Sequence, residues 1–282
     1  MKGAYGRGLM IVVLIMASRG IGVAVQSPPE GLVFVKGGCF DMGDTFGDGN
    51  DDEKPIHQVC VDDFYIGKYE VTVGEFRAFV NDTGYKTDAE RRDGCYYWKG
   101  REWDKDKNLN WRRPGFPQTD KHPVVCVTWH DAIEYVTWKR KKTGLSYCLP
   151  TEAQWEYAAK SGGKSEKMAG TSSESELGAY AWYKGNAGGK THPVGQKRPN
   201  GLGLYDMSGN VWEWLRDWYG EDYYDHSARD NPKGPSSGKG KVIRGGSWYV
   251  IPRSVRTAYR NWSIPDKRHY NSFGFRLSLC IE

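Results

Sequence analysis

The chain has 282 residues, of which 38% are hydrophobic, 14% aromatic and 27% charged, enough for one globular domain with a sizeable core. With 12 Trp and 18 Tyr it has too much apolar surface to remain disordered. The formal charge is +5, but Lys2, Arg7 and Arg19 lie in a leader-like N-terminus, and the about +2 left without them makes no electrostatic case for nucleic acid.

Lys2 and Arg7 precede a short apolar run, Leu9 to Ala17, with Gly22 and Ala24 beyond it. Such a run is too short to span a bilayer but suits a secretory signal peptide. Residues 1–26 are therefore read as a signal and 27–282 as the folded domain, placed outside the cytoplasm, in a periplasm or secreted. An uncleaved N-terminal anchor or a misplaced start is the competing reading.

The segment GLVFVKGGCFDMGD reads as strand, turn, strand. The acidic loop from Asp44 to Glu53 suggests calcium, but Phe46 and Pro55 spoil the third and twelfth positions of the EF-hand template, so a solvated loop is expected. QVCVDDFYIGKYEVT then alternates like a second strand pair. Three capping boxes predict helix starts, at Thr72 with Glu75, Thr128 with Asp131, and Thr151 with Gln154. Their core-facing residues are Phe76, Phe79 and Val80, then Ala132, Tyr135 and Val136, then Trp155 and Ala158. Residues 161–178 and 220–240 read as polar surface loops, the second with Tyr223 and Tyr224 as candidate ligand contacts. KVIRGGSW and FGFRLSL are short strand-like pieces. The order is α+β with much irregular structure and no internal repeat.

Six cysteines, at 39, 60, 95, 126, 148 and 280, favour disulfides in an exported chain, with the connectivity open. No HExxH, GxSxG, Walker or Rossmann spacing occurs. The six His are scattered, and His130 is read as an ordinary first-turn residue.

The stretches MGDTFGDGNDDEKPIHQVCVDDFYIGKYEVTVGEF, HPVVCVTWHDAIEYVTW, YCLPTEAQWEYAA, PVGQKRPNGLGLYDMSGNVWEWLRDWYG, RGGSW and FGFRL follow one another over residues 30–280. In that order they resemble the formylglycine-generating-enzyme, or sulfatase-modifying-factor, family. The resemblance implies an elaborated C-type-lectin-like α+β fold with little regular secondary structure. It also implies a calcium ion held by Asp206, Gly209, Val211 and Glu213, where a Gly-rich turn and two carboxylates offer hard oxygens. The family's other calcium loop would follow Asn186, but AGGKTHPVG is short and has no acid, so a second ion is not expected there.

Formylglycine-generating enzymes place two cysteines just after RGGS and use them to bind copper, a soft ion that needs thiolates. Here the matching positions are Val250 and Val255, so copper and formylglycine generation are not expected. The iron-binding HxxxHxE motif of the related sulfoxide synthases is also missing. Ser247, Trp248, Tyr249, Arg256, Tyr259 and Arg260, with Trp262 beside them, remain as candidate pocket residues for a peptide, small-molecule or protein ligand. For each taken singly, a structural role is the simpler reading. Three functions follow from the resemblance: an oxidative tailoring or maturation enzyme acting on a peptide or small aromatic molecule, a non-catalytic lectin-like binding module, or a sulfatase activator with an atypical site.

Overall fold

Four strands near the start of the domain pair in a nested order that their alternation does not specify. In the computed structural model, which describes residues 28–266 and 270–280, β1 (Leu32–Val35) lies antiparallel to β4 (Phe64–Gly67), and β2 (Gly38–Met42) to β3 (His57–Val61). The expected pairing of each strand with its immediate successor is thereby corrected. Gly37 makes the crossing possible: a Cβ there would meet Asp62 C and Val61 O at 2.4 Å, and its N–H is held by Asp63 Oδ1 at 2.8 Å. The Cys39–Cys60 disulfide closes the inner pair. The proposed signal peptide lies outside the described residues.

The three predicted helices form where their caps place them. They are α1 (Val73–Thr83), α3 (Trp129–Thr143) and α4 (Glu152–Ala159), each with a reciprocal capping box. A fourth box, Thr87 with Glu90, opens the short α2 (Asp88–Arg91). α1 and α3 stop at Gly84 and Gly144, both left-handed, where a side chain would be strained. The hairpin of β5 (Cys95–Trp98) and β6 (Trp103–Asp106) follows α2.

Two four-stranded sheets organise the rest. In the first, β12 (Ser278–Leu279) fits between β4 and β7 (Tyr147–Cys148), giving the order β1-β4-β12-β7. In the second, β8 (Trp212–Trp218), β9 (Lys241–Arg244), β10 (Asn261–Ser263) and β11 (Phe273–Gly274) take the order β10-β9-β8-β11, with β11 parallel to β8. One apolar cluster gathers Phe76, Tyr135, Trp212 and Trp214, and a second gathers Val59, Phe64, Trp155 and Leu215. Disulfides join Cys39–Cys60, Cys95–Cys126 and Cys148–Cys280, which fits an oxidising compartment outside the cytoplasm. Among the described residues no helix is long and apolar enough to cross a membrane.

Three loop expectations change. The acidic 44–53 loop is not simply solvated, because Asp44 and Glu53 are buried. Asp44 accepts the N–H groups of Phe46, Gly47 and Gly49 at 3.2, 3.0 and 2.7 Å, and these bonds organise the turn. The polar 161–178 segment buries Met168, Ala169 and Leu177 and ends in α5 (Leu177–Tyr180). Tyr224 is buried with the Arg260 guanidinium 4.0 Å above its ring, so it is a packing residue and offers no ligand contact.

Candidate functional site

The turn before β8 is built from residues in the left-handed region: Asp206 at φ 58°, Gly209 at 86° and Asn210 at 57°. Gly209 is obligatory, since a Cβ would meet Trp182 O at 2.2 Å. Asp206 and Glu213 of the expected calcium set are both buried, as is Val211, but they are differently occupied. Glu213 accepts two bonds from Arg276 at 2.6 Å and one from Trp155 Nε1 at 2.8 Å, so its charge is already neutralised. This contact ties the WEW motif to the GFR motif. Asp206 spends only Oδ2, on the N–H of Gly195 at 2.8 Å, and Oδ1 is buried without a partner.

Sequence reasoning missed Glu70, the third acid of this group. It accepts one bond from Asn210 Nδ2 at 3.0 Å, and its Oε1 is also buried without a partner. Burial, then the charges of Asp206 and Glu213, push the Glu70 carboxyl well above its usual range. Burial pushes Asp206 up to about 6. The only hint lay in the position of Glu70 inside KYEVT, two residues before the Thr72 cap. Among the described residues no group of three or more His, Cys, Asp or Glu side chains is placed to hold a metal ion by itself. The unpartnered carboxylate oxygens of Asp206 and Glu70 are of the kind a hard cation takes together with main-chain carbonyls, while Glu213 is already paired with Arg276. Asn186, at the family's other calcium loop, spends its side chain on Tyr183 N and Ala181 O at 2.9 Å each.

After RGGS the chain turns through a short helical segment, Pro252–Val255. Val255 is fully buried in an apolar cluster with Met168, Leu177 and Ala181, and Val250 packs against the same cluster. The positions that would carry thiols are thus filled by hydrocarbon without a donor atom, and the six cysteines are all joined in disulfides. These residues do not fit copper. Beside Val255 a cleft of about 380 Å³ is lined by Met168, Glu174, Ile251, Pro252, Arg253 and Arg256.

The two pocket arginines are committed internally. Arg256 makes two 2.7 Å bonds to buried Glu53. Arg260 clasps Glu152 at 2.8 and 3.0 Å and donates to Asp52 O at 2.7 Å. Both guanidiniums are thus already paired with buried carboxylates. Ser247 is buried with an unpartnered hydroxyl, and Trp248 is buried with Nε1 donating to Asn271 O at 3.2 Å. Trp262 is exposed and stacks on Tyr219 at 5.9 Å. Tyr259 is half-buried, 5.9 Å from the Trp212 ring. Tyr249 is half-buried in an aromatic group with Trp98 at 5.4 Å, Trp103 at 5.0 Å and Trp248 at 5.6 Å. Trp98 and Trp103 come from the β5–β6 hairpin, whose partnership with residue 249 no local pattern announces.

Comparison with known proteins identifies the family and the fold. Residues 20–280 match the family described as the sulfatase-modifying factor enzyme 1-like domain. A formylglycine-generating enzyme of Streptomyces coelicolor is 36% identical, over 88% of each chain. One from Bos taurus is 37% identical, over 89% of this chain and 75% of that one. Among solved structures, PvdO from Pseudomonas aeruginosa superposes with a TM-score of 0.73 at 30% identity, over 89% of this chain and 94% of that one. Treponema denticola variable protein 1 gives 0.70 at 28%, over 88% and 94%.

Proposed function

Because this chain belongs to the sulfatase-modifying factor enzyme 1-like family and lacks the means for copper–thiol chemistry, we propose that it uses the family scaffold to bind an extended, aromatic-containing peptide segment outside the cytoplasm. One observation carries the reading: where a thiol pair would be needed, Val255 is buried in an apolar cluster and Val250 packs against it. The surface beside them remains shaped for recognition. The cleft along Ile251 and Pro252 has about 380 Å³, and Val250 adjoins both that cluster and the aromatic side carrying Tyr249. Half-buried aromatic rings supply contact area at low entropic cost and suit peptide recognition. A calcium ion, held by Asp206 and Glu70 with the carbonyls of Gly209 and Val211, would brace the turn behind this face and take no part in chemistry.

The test pairs two assays on the full chain. Incubated with copper and a sulfatase-derived cysteine peptide, it forms no formylglycine. In a displayed-peptide selection it retains aromatic-containing peptides, and Trp98→Ala with Trp103→Ala weakens them roughly tenfold or more. Formylglycine in the product, or peptide binding indifferent to both substitutions, overturns the reading. The oxidative-tailoring alternative has one observation in its favour, the buried and unpartnered Ser247 hydroxyl next to Trp248. Oxygen uptake stimulated by an aromatic substrate would decide for it.

A further inference from the structure

On another part of the molecule, a cleft of about 420 Å³ opens between the start of α3 and the end of β8. That volume lies within the roughly 300–1,000 Å³ range of small-molecule sites. It shares no residue with the cleft beside Val255. Its walls divide by chemistry. Ile133, Val136, Leu149 and Pro235 give apolar surface, while Arg140, Arg216, Lys233 and Lys241 give four cations, and no acidic side chain lines it. None of these four takes part in an ion pair among the described residues.

Lys241 shows that the site is built rather than incidental. Its residue is 6% exposed, and its ammonium sits 4.5 Å from the Trp129 ring and 3.8 Å from that of Trp218. One N–H goes to Arg216 O at 2.8 Å. Trp129 is locked by its own Nε1 bond to Leu215 O at 2.8 Å, and Trp218 faces Lys241 across the β8–β9 ladder. Asp217, beside Trp218 on β8, forms no ion pair with Lys241: Oδ2 accepts the N–H of Glu152 at 3.0 Å, and the carboxyl acts on the ammonium only through its charge. The ammonium is thus held against two indoles with no carboxylate bonded to it, beside apolar surface. Burial lowers the ammonium to about 8, so it remains charged at neutral pH.

We propose that this cleft binds a small molecule joining an anionic head group, a carboxylate, sulfonate or phosphate, to a flat apolar body. The head group meets Lys241, Arg140 and Arg216, and the body lies on Ile133, Leu149 and Pro235. Cationic donors on a partly desolvated wall discriminate strongly for an anion, and the apolar wall adds affinity by burial.

Calorimetric titration of the full, disulfide-intact chain tests this with 2-naphthoate, 2-naphthalenesulfonate, 2-naphthyl phosphate and the neutral 2-naphthylmethanol. At least one anion binds saturably to a single site, and the neutral analogue binds roughly tenfold or more weaker. Arg140→Gln with Arg216→Gln, both at exposed positions, weakens the anion by a similar factor, while Trp98→Ala leaves it unchanged. The preferred anion identifies the head group. The proposal falls if no anion gives saturable heat at low-millimolar concentration, if the neutral analogue binds as well, or if the double variant binds as the wild type does. An unchanged melting temperature in the double variant shows that its loss is local.

Discussion

Arg276 faces three carboxylates, Glu70, Asp206 and Glu213, and its two short bonds go to one of them. The remaining two acids each keep a buried oxygen without a partner, an arrangement that costs stability unless a proton or a cation completes it. If calcium completes it, chelation lowers the melting temperature by roughly 5–10 °C for an ion near a hundredfold above its Kd. Asp206→Asn then melts at the same temperature with and without chelator. Calorimetry of both proteins in calcium and in chelator makes the comparison, and a wild-type melt indifferent to chelator ends the calcium assignment. At Val255 the lesson is different. A side chain that sequence alignment marks as a lost ligand turns out to be a packed one, surrounded by Met168, Leu177 and Ala181.

At the scale of elements, β8 carries acids on a strand that is otherwise nearly all buried. Asp217 on it is pushed up to about 7 by burial and then by the charge of Glu152. A carboxyl raised in the folded state stabilises most below its unfolded value near 3.8 and loses that contribution as pH rises through about 7. Asn does not titrate, so the melting temperature of Asp217→Asn relative to wild type should climb between about pH 4 and 7. Thermal melts across that range check it, and a constant or falling difference refutes it. The helices were legible because a capping box is a local signal written in four consecutive residues, as at Thr72 to Glu75. Strand pairing was not: period-two alternation fixes faces, and only Gly37 at Asp63 and the Cys39–Cys60 bridge fix partners. The burial of Glu53 was equally hidden, because its partner Arg256 lies 203 residues away. The turn before β8 was legible as a motif, yet the partner of Glu213 and the presence of Glu70 depended on tertiary contacts.

For the whole molecule, the three disulfides differ most in how much chain they enclose. Cys39–Cys60 spans 21 residues, Cys95–Cys126 spans 31 and Cys148–Cys280 spans 132. On loop-closure entropy alone, removing the longest costs about 5 kcal/mol and removing the shortest about 3. Urea unfolding of Cys148→Ala with Cys280→Ala, set against Cys39→Ala with Cys60→Ala, measures the order, and the reverse ranking would show that native-state contacts outweigh loop length. The insertion of β12 between β4 and β7 has a consequence for biogenesis. The strands at 64–67 and 147–148 have no bridge between them until residues 278–279 arrive. The first sheet therefore closes only once residues 278–279 are available, and the Cys148–Cys280 bridge beside them then locks the strands from opposite ends of the domain together.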